Sequence, residues 1–321
     1  MDLSLAQKII AQIGAAKHPA ILAHLRPDGD AFGSILGLAH TLREWGAQPQ
    51  VFVEGGIISM YQFLPGSELV QDLPASLPSN TDCFIALDTS TRERLGQKTI
   101  SWSRPVDIVI DHHISNPGYG KHNLIIADIP STTGVLFELF QIAKWKITPA
   151  AATCLFTGLT TDTGSFRYSN ANREAFTVAG EMIECGVNAW DVAEQLYENQ
   201  PRRRLEMLAL CLPTLEVIMG GLVASLTVTL DMYSATGADS ELTDGFVNYP
   251  RSIRGVEVAI FFRQLEEKKF KIGFRSKGKI NVAAFSAAMG GGGHHNAAGC
   301  TIEGTVDEVK SKVYSIVESC L

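Results

Sequence analysis

The chain has 321 residues, 45% of them hydrophobic and 19% charged, a globular composition that excludes disordered or collagen-like structure. That length exceeds the roughly 100–200 residues of a typical domain, so two domains with separate cores are expected. With 27 Lys and Arg against 34 Asp and Glu, the formal charge of −7 argues against gripping long nucleic acid or an anionic membrane by phosphate neutralisation. In chain order, the N-terminus carries Asp2 and no apolar run suited to a secretory leader. No stretch approaches the roughly 18 apolar residues of a membrane span. Short apolar runs at 20–25, 50–53, 83–87 and 106–110 predict buried strands, with amphipathic segments such as 34–45, ending at Gly46, between them. Strands alternating with helices imply βαβ units and a mostly parallel sheet. Further helices are expected at 133–144, 149–161 and 172–185, then at 189–199 and 202–212, with Pro201 and Pro213 as breaks. From Gly220 the hydrophobic period falls to two, in LVASLTVTL, VEVAIFFRQL and KFKIGFRS, before a last helix at 305–321 that opens with Asp307 and Glu308.

The expected organisation is α/β. A mostly parallel sheet flanked by helices spans 1–189, helices at 190–218 link it onward, and a smaller α/β domain spans 219–321. The six cysteines (Cys83, Cys154, Cys185, Cys211, Cys300, Cys320) show no C-x-x-C pairing, and several sit in apolar runs. A soluble protein of the reducing cytoplasm is expected. The charge is uneven: residues 1–219 carry the whole −7, whereas residues 251–279 hold nine Lys/Arg against three Glu, a local +6. Such a run is usually a solvated strand face.

Five of the eight histidines fall in three short motifs: His24, the pair His112 and His113, and the pair His294 and His295. The first reads HLRPDGD, directly after an expected strand, and supplies His24, Asp28 and Asp30. Gly29 would let the backbone bend so that both carboxylates serve one site, and Gly33-Ser34 would open a helix. The run CFIAL delivers Asp88 at its end, and VDIVI delivers Asp111-His112-His113. Asp162 follows an apolar helix in TTDTG. Strand ends are where ligand crevices form in an open parallel sheet. Each of these acids alone reads most simply as a helix cap or turn residue. Converged, four carboxylates would repel one another and raise each other's pKa, and bound cations resolve that. A His/Asp set without thiolate suits Mn²⁺, with Mg²⁺, Co²⁺ or Zn²⁺ as alternatives, and six ligands suit a pair of ions able to activate water for attack on phosphorus. In the second domain, four consecutive glycines, Gly290 to Gly293, precede His294, His295 and Asn296. Such a run lets backbone N–H groups approach anionic oxygens. Arg275-Ser276-Lys277 ends a strand just upstream, a planar fork suited to phosphate.

On the strings HLRPDGDAFGS, ALDTS, DHHISN, TGLTTDTGSF, GFRSKG and GGGGHHNAAG, in that order, the chain resembles the DHH–DHHA1 phosphoesterases, in particular their nanoRNase/pAp phosphatase subgroup. The resemblance spans essentially the whole chain and implies a metal-dependent enzyme with its active site in the cleft between two domains. It implies that His24, Asp28 and Asp88 hold one metal and that Asp30, Asp88, His112 and Asp162 hold the other, Asp88 bridging. His113 would act as a general acid or electrostatic partner, and Asp111 would orient a ligand histidine. Arg275, Ser276, Gly291, Gly292, Gly293 and His294 would bind substrate. Ser131, Thr132 and Thr133 would cap a helix near the site, with a substrate contact as the alternative. The implied substrates are 5′-phosphorylated RNAs of two to four nucleotides and 3′-phosphoadenosine 5′-phosphate, with no long nucleic acid and no membrane partner. A linear or cyclic dinucleotide phosphodiesterase (pGpG, pApA, cyclic di-AMP) is the alternative, and a catalytically inactive nucleotide sensor is disfavoured by the intact ligand set. Oligomeric state is not encoded in these motifs, a homodimer being the alternative to a monomer.

Overall fold

The computed structural model describes residues 1–321, apart from the side chain of His294. The chain packs as two units, Met1–Asn199 and Gln200–Leu321. The first opens with α1 (Leu3–Ala15), whose N-cap Asp2 accepts the N–H groups of Ser4 and Leu5 and whose Ala6, Ile9 and Ile13 are buried at helical spacing. Six strands follow: β1 (Ala20–Leu22), β2 (Gln50–Phe52), β3 (Val70–Gln71), β4 (Phe84–Leu87), β5 (Ile108–Asp111) and β6 (His122–Ile125). They form one parallel sheet in the order β3-β2-β1-β4-β5-β6. The central strands are buried on both faces, as parallel sheets require. Strand order reverses between β1 and β4, which opens a crevice beyond their carboxyl ends. β1 stops at Leu22, so His24 leaves the sheet at that edge.

Helix α2 (Gly29–Arg43) begins five residues earlier than the expected start at residue 34. The cause is Asp28, whose carboxylate accepts the N–H groups of Asp30 and Ala31 and so starts the helix ahead of the glycine that reads as a bend. Gly29 is therefore a packing residue, not a hinge. With Gly33 and Gly37 it recurs every fourth position on the α2 face that meets α4 (Pro149–Asp162). A Cβ would lie 2.4 Å from Thr161 Oγ1 at Gly29, 2.4 Å from the Cys154 carbonyl oxygen at Gly33 and 2.7 Å from Leu155 at Gly37. Around this pair, α3 (Thr132–Ala143) starts at the Ser131 cap and α5 (Arg173–Glu184) at the Asn172 cap. The unit closes through α6 (Ala189–Ala193) and a π-helical turn, Glu194–Glu198.

The second unit begins with α7 (Arg202–Cys211) and holds β7 (Glu216–Ile218), β8 (Val223–Val228), β9 (Val258–Glu266), β10 (Lys269–Ser276), β11 (Gly292–His294) and β12 (Ala297–Glu303). They form a mixed sheet ordered β11-β12-β10-β9-β8-β7, parallel only between β8 and β9. Helices α8 (Leu230–Thr236), α9 (Asn248–Ser252), α10 (Val282–Ala288) and α11 (Val306–Cys320) complete it. On β10 the period of two puts Phe270, Ile272 and Phe274 into a core shared with Val309, Val313 and Val317 of α11. A capping box between Thr305 and Glu308 starts α11. Among the described residues no helix is long and apolar enough to cross a membrane, and all six cysteines are free thiols.

The α2–α4 contact leaves no room for a methyl group at Gly33. Gly33→Ala is expected to cost about 1–3 kcal/mol of unfolding free energy through overpacking. Gly180, in the exposed interior of α5 with nothing within 4 Å of an added Cβ, offers the opposite case. Gly180→Ala should gain about 0.5–1 kcal/mol. Urea unfolding of both variants checks the pair, and equal stability of the Gly33 variant and the wild type would refute the close packing.

Candidate metal centre

The carboxyl edge of the first sheet gathers the residues that the motifs single out. His24 follows β1, Asp88 follows β4, and Asp111, His112 and His113 end β5. Asp30 lies in the first turn of α2 and Asp162 is the last residue of α4. Their ligand atoms fall into three groups within 4.8 Å of one another: His24, Asp28 and Asp88; Asp30, His112 and Asp162; and Asp88, His112 and His113. The third group joins the other two, sharing Asp88 with the first and His112 with the second. Asp88 Oδ2 lies 3.4 Å from His24 Nε2, while its Oδ1 lies 3.7 Å from His112 Nε2. His112 Nε2 lies 3.1 Å from Asp162 Oδ2, and His24 Nε2 lies 3.8 Å from Asp28 Oδ1.

Local hydrogen bonds set which nitrogen each ring presents. His24 donates from Nδ1 to the Leu25 carbonyl (2.8 Å), which leaves Nε2 as the lone-pair nitrogen facing Asp28 and Asp88. His113 is held differently. Its Nδ1 lies 2.6 Å from Asp111 Oδ1, and the other Asp111 oxygen accepts the Asn116 side-chain N–H at 2.6 Å. Asp111 also accepts the His112 main-chain N–H, so the ring it orients is His113 and not the ligand histidine that the resemblance implies. Asp30 is fully buried, and the start of α3 donates to both of its oxygens. Its Oδ2 accepts the Thr132 N–H, and its Oδ1 accepts the Thr133 N–H and hydroxyl. Asp88 has φ = 52°, a left-handed conformation rare outside glycine, and its Oδ1 accepts the Thr132 hydroxyl.

Burial and crowding push the carboxyl groups out of their ordinary range. Desolvation, with Asp162 nearby, takes Asp30 up to about 7. Desolvation takes Asp88 and Asp162 up to about 6, Asp30 adding to the rise at Asp88. Burial alone would pull His24 and His112 down. Instead, Asp28 and Asp88 hold His24 well above its usual value, and Asp162 takes His112 up to about 11. Converging acids that keep protons near neutrality, beside imidazoles whose Nε2 atoms face them, are what a divalent-cation site presents before the cation replaces those protons. The donor set of hard oxygens and borderline imidazoles, with no thiolate, fits such ions.

In the second unit, Arg275 near the end of β10 pairs with Ala297 of β12, which pairs with His294 of β11, so the three share one row of the sheet. The glycine run turns at Gly290 and then, at Gly292 and Gly293, becomes the edge strand β11 rather than a loop throughout. Gly291 and Gly293 are needed because a Cβ at either would lie 2.4 Å from the β12 backbone. Gly292 has open space around it and is exposed. Ser276 is buried, and its hydroxyl accepts the Gly278 N–H, which shapes the turn after β10. The His294 side chain lies outside the described residues. Of the +6 stretch, Lys269 pairs with Glu266 and Lys279 with Glu257, while Lys277 and Arg263 donate to the carbonyls of Ile253 and Ser240.

Residues 19–159 match the DHH family, N-terminal domain, and residues 222–320 match the DHHA1 domain. The chain is 31% identical to the bifunctional oligoribonuclease and PAP phosphatase NrnA of Thermus thermophilus, over 97% of this chain and 93% of that protein. It is 26% identical to the protein of the same name from Bacillus subtilis, over 87% of each. The crystal structure of an exopolyphosphatase-related protein from Bacteroides fragilis superposes with a TM-score of 0.91 at 26% identity, covering 99% of this chain and 98% of that one.

Every raised pKa in the cluster lies above the value of the unfolded chain, so each stabilises the metal-free fold at low pH and loses that effect as pH rises. For Asp30, Asp88 and Asp162 the loss falls between the ordinary carboxylate range and about 7. A divalent ion displaces those protons. Added Mn²⁺ is therefore expected to raise the melting temperature more at pH 8 than at pH 5.5. Calorimetry in buffers of different ionisation enthalpy should show net proton release at pH 7. A pH-independent increment with no proton release would contradict the site.

Proposed function

Because the chain belongs to the DHH family and carries its DHHA1 domain, we propose that this phosphoesterase hydrolyses short 5′-phosphorylated oligoribonucleotides to mononucleotides and 3′-phosphoadenosine 5′-phosphate to AMP. The observation that carries the reading is the pair of ligand groups brought together where Asp88 of one approaches His112 of the other, with His113 alongside, in a chain whose full-length relatives are named for those two activities. The two reactions are one at the bond level. In each, water adds its oxygen to a phosphorus esterified to a ribose 3′-oxygen, the P–O3′ bond breaks, and the 3′-oxygen leaves as a hydroxyl. The substrates differ only in whether that phosphorus carries a second nucleoside.

His24, Asp28 and Asp88 would hold one divalent ion, and Asp30, Asp88, His112 and Asp162 the other, Mn²⁺ being the ion that suits this mixed donor set. The ions would supply activated water and offset charge on the phosphoryl oxygens. His113 would protonate the departing 3′-oxygen. Burial opposes its charged form, but Asp111 outweighs that and keeps the ring protonated above the usual range. With Nδ1 directed to Asp111, Nε2 is the nitrogen that would deliver the proton. Arg275, with the exposed backbone of the β11 edge, would take the substrate's terminal phosphate. Free thiols throughout the chain are compatible with a cytoplasmic setting.

Mn²⁺-loaded protein should be assayed against 3′-phosphoadenosine 5′-phosphate, RNA dimers to pentamers with a 5′-phosphate, pGpG, cyclic di-AMP and pyrophosphate. Rates are expected to favour the bisphosphate and the shortest RNAs, and turnover of pyrophosphate alone would sink the proposal. Asp88→Ala should remove all activities together. His113→Asn should lower kcat by about 10²–10⁴-fold with little change in KM. Arg275→Ala should raise KM about tenfold or more while kcat falls less.

A further inference from the structure

We infer that Thr132 is a positioning residue that ties the two ligand groups together and sets the spacing of the ions they hold, an inference that rests on the two-ion reading above. Thr132 is fully buried in the first turn of α3 and contacts both groups at once. Its main-chain N–H donates to Asp30 Oδ2 at 2.6 Å, and its hydroxyl donates to Asp88 Oδ1 at 3.0 Å. Asp30 belongs to the group with His112 and Asp162, and Asp88 to the group with His24 and Asp28. Two acids 58 positions apart in the chain are thus held by two atoms of a single residue.

The need for such a link is physical. Asp88 stands in a left-handed conformation at a strand end, a strained backbone state that persists only where surrounding contacts hold it. Two negative groups at low dielectric also repel, so without a donor between them they would part. Asp30 has further donors in the Thr133 N–H and hydroxyl, the latter buttressed by Ser131 Oγ at 2.9 Å. The Thr132 hydroxyl is therefore the atom whose loss should be felt at Asp88. Removing it would leave each acid able to bind an ion and relax the distance between the groups.

The full-length protein is titrated with Mn²⁺ alone, by calorimetry and by electron paramagnetic resonance. The wild type and Thr132→Ser are expected to take up two ions and to give the broad signal of a spin-coupled pair. Thr132→Val keeps the volume and the Asp30 contact but removes the hydroxyl. Its second ion should bind about 10- to 100-fold more weakly, with the coupled signal giving way to the six-line spectrum of isolated Mn²⁺. Should Val disturb folding, Thr132→Ala against Thr132→Ser makes the same deletion at smaller volume. Wild-type isotherms and an intact coupled signal in Val or Ala would overturn the role of Thr132 alone. A wild type that never binds a pair of ions would overturn the two-ion reading and this inference with it.

Discussion

Asp30 and Asp88 carry negative groups into a place with almost no solvent, at 0% and 2% exposure, and withdrawing a carboxylate from water costs several kcal/mol unless something answers it. The architecture of the first unit is organised around that cost. The start of α3 supplies hydrogen-bond donors to both acids, and a helix N-terminus favours negative charge. The glycine stripe of α2 brings α4 close enough for its last residue, Asp162, to reach the same place. A Cβ at Gly158 of α4 would lie 2.8 Å from Asp30 Oδ1. The helix packing and the electrostatics of the site are thus one constraint, and a methyl group misplaced at this contact would disturb both.

The sheet distributes the remaining work. Two adjacent histidines at the end of β5 are turned apart, their rings 62° from coplanar, and serve different partners. His112 faces Asp162 and Asp88, whereas His113 is clamped by Asp111, itself anchored through Asn116 to the Thr89 carbonyl. Separate rings, separately oriented, leave each with its own carboxylate partner, Asp162 for His112 and Asp111 for His113.

Much of this was legible in the residues themselves, because buried parallel strands are apolar without interruption and because an acid or imidazole at such a strand's end breaks the run. The runs ending near His24, Asp88 and Asp111 announced both the strands and their cargo. The start of α2 was not legible. Asp28-Gly29-Asp30 reads as a turn, and only the approach of Thr161 of α4, far away in sequence, shows Gly29 to be a packing residue inside a helix. The edge strand β11 hid for a similar reason. Glycines carry no hydrophobic period, and the requirement for them at Gly291 and Gly293 comes from β12. The polar, glycine-flanked β6 (His122–Ile125) and the two-residue β3 gave no run long enough to read. That Asp111 orients His113 was not legible either, because sequence adjacency says nothing of which way a ring turns.

Charge is where sequence and structure converge least simply. The +6 stretch suggests a surface for anions, yet several of its cations tie down their own neighbourhood: Lys269 and Lys279 in ion pairs, Lys277 and Arg263 on main-chain carbonyls. Arg275 shares a row with the backbone of the β11 edge, two strands away and so about 10 Å across the sheet. Holding a polymer would need cations repeated at the phosphate spacing along a face, and the binding would then weaken steeply with salt. The first unit gathers four of its acids into one cluster, and the second spends four of the nine cations of residues 251–279 on holding its own strands and turns, so net charge by itself describes neither surface.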